Sequence, residues 1–162
     1  MTTATPNYGG AADLTITLAS LASDTNLVAG RASTAISNIT DDCIDAIVQG
    51  FTTTVSNPTA SRQIEVWAYG SVDGSTYSGG ATGSDANLTP QEKTLMKLLT
   101  IIPTASTANQ QYNWGPFSIA QAFGGTMPRN WGIYVVQNTG VNLNASTSLH
   151  KVTYNPVKYE SA

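Results

Sequence analysis

Trp131-Gly-Ile-Tyr-Val-Val-Gln137 runs into Asn138-Thr-Gly140, and its apolar alternation points to a β fold. Trp131, Ile133 and Val135 fall on one face at a period of two, and Ile133, Tyr134, Val135 and Val136 are strong strand formers. Asn138-Thr-Gly140 supplies the positive-φ position that a tight reversal needs. The stretch therefore reads as a core strand and a turn. Val141-Asn-Leu-Asn144 and Leu149-His-Lys-Val-Thr-Tyr154 are the strands expected to follow.

The same alternation recurs upstream. Leu14-Thr-Ile-Thr-Leu18 predicts the first strand, apolar side inward, and residues 32–37 predict a short one. Residues 38–42 read as a polar turn. Residues 42–55 predict a long strand with Ile44, Ala46, Val48 and Gly50 on one face, Gly50 marking a bulge or bend. After a loop over 56–61, residues 62–70 alternate Ile64, Val66 and Ala68 against Glu65, Trp67 and Tyr69, which puts Glu65 outward on a sheet face.

Punctuation fills in the rest. The Gly- and Ser-rich residues 71–89 form the longest irregular stretch and are expected to be a mobile or binding loop. Thr89-Pro-Gln-Glu92 matches a capping box with Pro at the first helical position, predicting one helical turn and then a strand ending at Pro103. Residues 104–113 read as a polar loop. Ser118 is the expected N-cap of a short helix over 119–123 that stops at Gly124. Pro6, Gly9 and Gly10 make residues 1–12 a flexible arm, leaving 13–162 as one domain. Eight or so short strands with little helix predict an all-β fold: an antiparallel β-sandwich, jelly-roll-like, with one or two short helical turns.

Composition narrows the function. At 162 residues the chain can bury a proper core, and 41% hydrophobic residues is ordinary. Charged residues are only 10%, against about 25% in an average soluble domain. A net charge of −3 with no basic patch argues against nucleic-acid or anionic-membrane binding. Lys93 and Lys97, four residues apart, read as a solvated face. No apolar run approaches the ~18 residues of a membrane span, and the first residues show no signal-peptide pattern, so synthesis in a cytoplasm is expected.

Catalytic chemistry finds little purchase. His150 is the sole histidine and lies within a strand pattern, and Cys43 the sole cysteine, read as a small half-buried strand residue. His150, the one imidazole that could serve as a base, is expected to be a surface or pocket-lining residue, and one His with one Cys cannot make a histidine-based metal cluster. Asp41, Asp42, Asp45, Glu65, Asp73, Asp85 and Glu92 show no spacing that selects a catalytic pair. Calcium on Asp73, Asp85 or Asn87 has no EF-hand-like pattern behind it. Ser71-Val-Asp-Gly-Ser-Thr-Tyr77 resembles a single Asp-box hairpin, one residue short of the usual spacing. No cofactor is expected. The candidate interface or ligand surface is aromatic: Trp67, Tyr69, Tyr77, Tyr112 and Trp114, either a sugar-stacking platform or core and subunit-interface residues.

Ala29-Gly-Arg-Ala-Ser-Thr-Ala35, Pro58-Thr-Ala-Ser-Arg-Gln-Ile-Glu-Val-Trp-Ala-Tyr-Gly-Ser71, Gly115-Pro-Phe-Ser118, Ala122-Phe-Gly-Gly125 with Pro128, Trp131-Gly-Ile133 and Asn138-Thr-Gly140 together resemble small virion structural proteins of tailed bacteriophages. The resemblance spans roughly residues 14–155 and carries no catalytic residues. It implies a non-enzymatic β-sandwich on the capsid exterior. The role implied is a decoration (cement) protein that binds the major capsid protein or other virion proteins and is commonly a homotrimer. A head or tail fibre component, or a carbohydrate- or receptor-binding module that takes a glycan, is the alternative. An arm such as residues 1–12 could order by adding to a neighbour's sheet edge.

Overall fold

Alternating apolar residues can bury one face of a strand only if a second layer covers it, and here two antiparallel sheets do so. The computed structural model describes residues 4–39, 42–59 and 62–161. The first sheet holds β1 (Ala4–Tyr8), β2 (Ala12–Asp13), β5 (Asp45–Thr53), β9 (Gln111–Ser118) and β11 (Lys151–Ser161). Its order is β1-β11-β5-β9, with β2 also on β11. The second holds β3 (Gly30–Ala32), β4 (Ile36–Ser37), β6 (Arg62–Ser71), β7 (Ala86–Leu88), β8 (Lys97–Thr104) and β10 (Asn130–Gln137). It runs β7-β3-β10-β6-β8, with β4 also on β10.

The stretch that opened the reading is the centre of the second sheet. All eight residues of β10 are buried, because β6 flanks one edge and β3 with β4 the other. Trp131, Ile133 and Val135 face the sandwich core, where they meet Ile64, Val66 and Val48. Tyr134 and Val136 point the opposite way into a second, smaller core with Tyr69, Ala81 and Met96. Residues 71–89, expected to be a mobile or binding loop, supply Tyr77, Ala81 and Leu88 to that second core, and Met96 joins them from just beyond. Gly132 is where the Tyr69 ring crosses β10: a Cβ there would lie 2.3 Å from Tyr69 Cζ. A sheet covered on both faces explains why β10 is apolar on both.

Several local expectations change. Residues 14–18 are not a ladder strand. They cross between the sheets, with Leu14 N–H donating to Val152 O (2.9 Å) and Thr15 O accepting from Thr34 N–H (2.8 Å), while Leu14 and Leu18 remain buried. The strand expected over 32–37 is broken at Ser33, whose Oγ accepts from Ile133 N–H at 2.9 Å in place of regular pairing. In the described part of the expected arm, Ala4–Tyr8 pairs along β11 of its own chain, with every side chain exposed. The helical turn expected at Pro90 is a 3-10 turn at Lys93–Leu95, with Glu92 as its cap accepting from Thr94 N–H (3.2 Å). Pro103 lies inside β8, an edge strand, where a missing N–H is tolerated. Val141-Asn-Leu-Asn144 forms only a single bridge, Leu143 to Thr54.

Other expectations are met. The register of β5 against β9 shifts between Val48 and Gly50, at the glycine read as a bulge. Ser118 Oγ caps the helix α1 (Ile119–Ala122) by accepting from Gln121 N–H at 2.9 Å. The turn over 38–42 and the loop over 56–61 lie partly outside the described residues, as does Asp41.

Candidate interaction surface

The five aromatic candidates do not form one surface. Tyr69 is fully buried and donates its hydroxyl to Ser33 O; burial pushes that hydroxyl up to about 12. Tyr77, half-buried, meets the Tyr69 ring edge-on with centroids 5.7 Å apart. Tyr112 and Trp114 alternate inward on β9 into the main core, and Tyr112 Oη donates to Ala105 O at 3.1 Å. Trp67 is half-buried on the outer face of β6, its Nε1–H donating to Glu65 Oε2 at 2.9 Å. Three of the five, Tyr69, Tyr112 and Trp114, are therefore interior residues rather than an exposed platform.

Glu65, expected outward, is buried. Its carboxylate accepts from Gln63 Nε2 (2.8 Å), Trp67 Nε1 and Lys93 Nζ (2.6 Å), and Lys93 also donates to Leu27 O at 2.7 Å. Lys93 is thus an internal clasp rather than part of a solvated pair with Lys97, and sequence spacing gave no sign of its partner.

The loop carboxylates are engaged as well. Asp85 Oδ1 accepts from Arg31 Nε at 2.6 Å and Asn87 Oδ1 from Arg31 Nη1 at 3.1 Å, so a guanidinium already occupies these oxygens. Burial raises the Asp85 carboxyl, but the bonds from Arg31 and Thr17 outweigh it and hold it below the usual range. Asp73 folds its own turn: the N–H groups of Thr76 and Ser75 donate to it at 2.7 and 2.8 Å and hold its carboxyl far below the usual range. The Asp-box-like stretch thus acts as a turn. A surface hollow of about 620 Å³ beside β3 and β7 is lined by small and polar residues such as Ser20, Ser23, Arg31 and Thr89, and no aromatic ring borders it.

What remains unpartnered is one side of the sandwich. Among the described residues β8 pairs only with β6 and β9 only with β5, so each is a sheet edge. These edges lie side by side, with Leu98 and Leu99 facing Pro116, Phe117 and Gln121 across a cleft of about 320 Å³. Leu98 and Ile101 of β8 are 44% and 46% exposed. Along β8, β9 and α1 the single charged residue is Lys97. Open strand edges with apolar side chains are templates for pairing with another chain.

The opposite side is closed by the chain itself. Residues 14–18 run from β11 across to the start of β7, with Thr17 donating through N–H and Oγ1 to Asp85 at 3.0 and 2.6 Å. The alternation of Leu14, Ile16 and Leu18 fills that side as a plug, and the β8–β9 side has no such segment among the described residues. No protein-family model matches the chain, and neither does a curated protein or a solved structure.

Proposed function

We propose that the chain is a non-enzymatic virion structural protein, a decoration protein that attaches to the outside of a bacteriophage capsid and bridges its subunits. The observation that carries this reading is the open β8–β9 side, where Leu98 and Ile101 of β8 stand exposed on edge strands whose single charged residue is Lys97. A monomer that worked alone in water would gain from covering such an edge; a subunit that completes itself against coat protein leaves it open. The low charge of the chain supports contact over large areas with little electrostatic repulsion.

The strand order supports the jelly-roll-like version of the sandwich. Counting β1 with β2 first, β3 with β4 second, then β5, β6, β8, β9, β10 and β11, the sheets run first-eighth-third-sixth and second-seventh-fourth-fifth. This order, with β7 as an added edge strand, supports a jelly-roll reading of the sandwich, and jelly rolls are common in viral capsid proteins and in lectins. Fold alone does not choose between these. The burial of Tyr69, Tyr112 and Trp114 favours the capsid reading over a glycan-stacking module.

The test is sedimentation of the purified chain with empty capsids of the virus that encodes it. Co-sedimentation that is lost in a Leu98→Glu, Ile101→Glu variant of unchanged melting temperature is the expected result. Light scattering on the free protein then reports whether the homotrimer implied by the resemblance forms before attachment.

A further inference from the structure

His150 sits just after a 3-10 turn (Thr147–Leu149) and immediately before β11. Its Nε2 lies 2.8 Å from Asn144 O, and a carbonyl can only accept, so Nε2 carries the hydrogen. Nδ1 is then the acceptor, 2.7 Å from Thr52 Oγ1, with Thr53 N–H a longer donor at 3.5 Å. The neutral imidazole thus joins the 144–150 segment to the end of β5, and both ring nitrogens are used.

The same segment carries Leu143, which is 1% exposed and belongs to the main core. Around it Asn144 N–H donates to Thr53 O (2.8 Å), Val55 N–H to Asn142 O (3.1 Å) and Leu143 N–H to Leu21 O (3.0 Å). Adding a proton to Nδ1 would set an N–H against the Thr53 N–H and demand that Thr52 turn its hydroxyl from donor to acceptor. We propose that His150 is an acid-released latch: neutral, it ties residues 142–150 to β5, and protonated, it frees that segment and uncovers Leu143.

The charged and titratable groups nearby do not compensate. Residues 142–149, Thr52 and Thr53 carry no titratable side chain. Tyr112, opposite Thr52 on β9, bonds its hydroxyl to Ala105, and Lys151, next along β11, pairs with Asp13 at 3.1 Å. Burial lowers the imidazole, and the bond to Asn144 O only partly opposes this. The sign follows: the open segment binds a proton more readily than the closed one, so closure weakens as pH falls below the ordinary histidine value of about 6.5. The loss levels off once the closed form is protonated too.

The experiment combines an NMR titration of the His150 ring with amide-exchange protection of Leu143 and Asn144 between about pH 7.5 and about pH 5. The latch predicts an Nε2–H tautomer, a titration below the ordinary value, and protection that falls by up to about tenfold for each unit of that lowering. It also predicts that His150→Gln removes the pH dependence of this protection. Thr52→Val, which deprives Nδ1 of its donor, should move the titration upward and keeps the test open if the glutamine variant does not fold. An ordinary or raised titration, an unmoved midpoint in Thr52→Val, or the same pH dependence in His150→Gln overturns the proposal.

Discussion

Lys93 Nζ lies 2.6 Å from Glu65 Oε2 and 5.2 Å from the centre of the Trp67 ring, on the face of β6 that the alternation assigns to solvent. The reason is the 72–96 excursion, which folds back over that face and brings Lys93 with it. A buried carboxylate is tolerable because three donors meet it.

Lys93→Ala should therefore cost about 3 kcal/mol, the lower end for breaking a buried pair, since the lysine keeps some solvent contact. Adding Glu65→Gln should recover most of it, because no charge is then stranded. Urea unfolding of both variants checks this. A single variant as stable as the parent would mean that Glu65 is rehydrated without cost.

Ser33 Oγ stands in for a ladder acceptor toward Ile133 N–H at 2.9 Å, in the fully buried middle of the second sheet. Ser33→Ala leaves that donor unsatisfied and should cost about 1–3 kcal/mol, whereas an exposed serine such as Ser56 should cost almost nothing on the same change. Matched thermal melts of the two variants decide it.

Backbone N–H bonds from Ala29, Val28 and Asn26 hold the Asp24 carboxyl below its usual range despite some burial, and Asp85 is lowered against burial by Arg31 and Thr17. Folded values below the unfolded ones mean that the unfolded chain binds more protons in acid. The stability from these groups is present above about pH 4 and drains as pH falls through their folded values. The urea midpoint should drop between about pH 5 and about pH 2, and less steeply in Asp85→Asn. An equal slope in that variant would show that the Arg31–Asp85 pair is not part of the acid response.

Much of the fold was legible because period-two alternation survives wherever a strand buries one face. Strands β5, β6 and β10, the Gly50 bulge and the Ser118 cap all announce themselves locally. What failed was whatever depends on a distant partner. Leu14, Ile16 and Leu18 alternate like a strand because a plug between two sheets needs the same pattern as a strand on one. Strand β9 was hidden by Gly115-Pro116, although Tyr112 and Trp114 alternating with Gln111 and Asn113 signalled it. Those aromatics looked like a surface while the strand that turns them inward was missing. The open β8–β9 edge could not be read at all, since no single stretch says which strands end a sheet.

The measurement that bears most directly on the account is co-sedimentation of the folded chain with empty capsids, parent against the Leu98→Glu, Ile101→Glu variant. If the open β8–β9 edge seats the chain on the shell, as the account holds, the parent pellets with the shells at a fixed stoichiometry and the variant, melting at the same temperature, stays in the supernatant. A parent that ignores the shells, or a variant that binds as well as the parent, would contradict it.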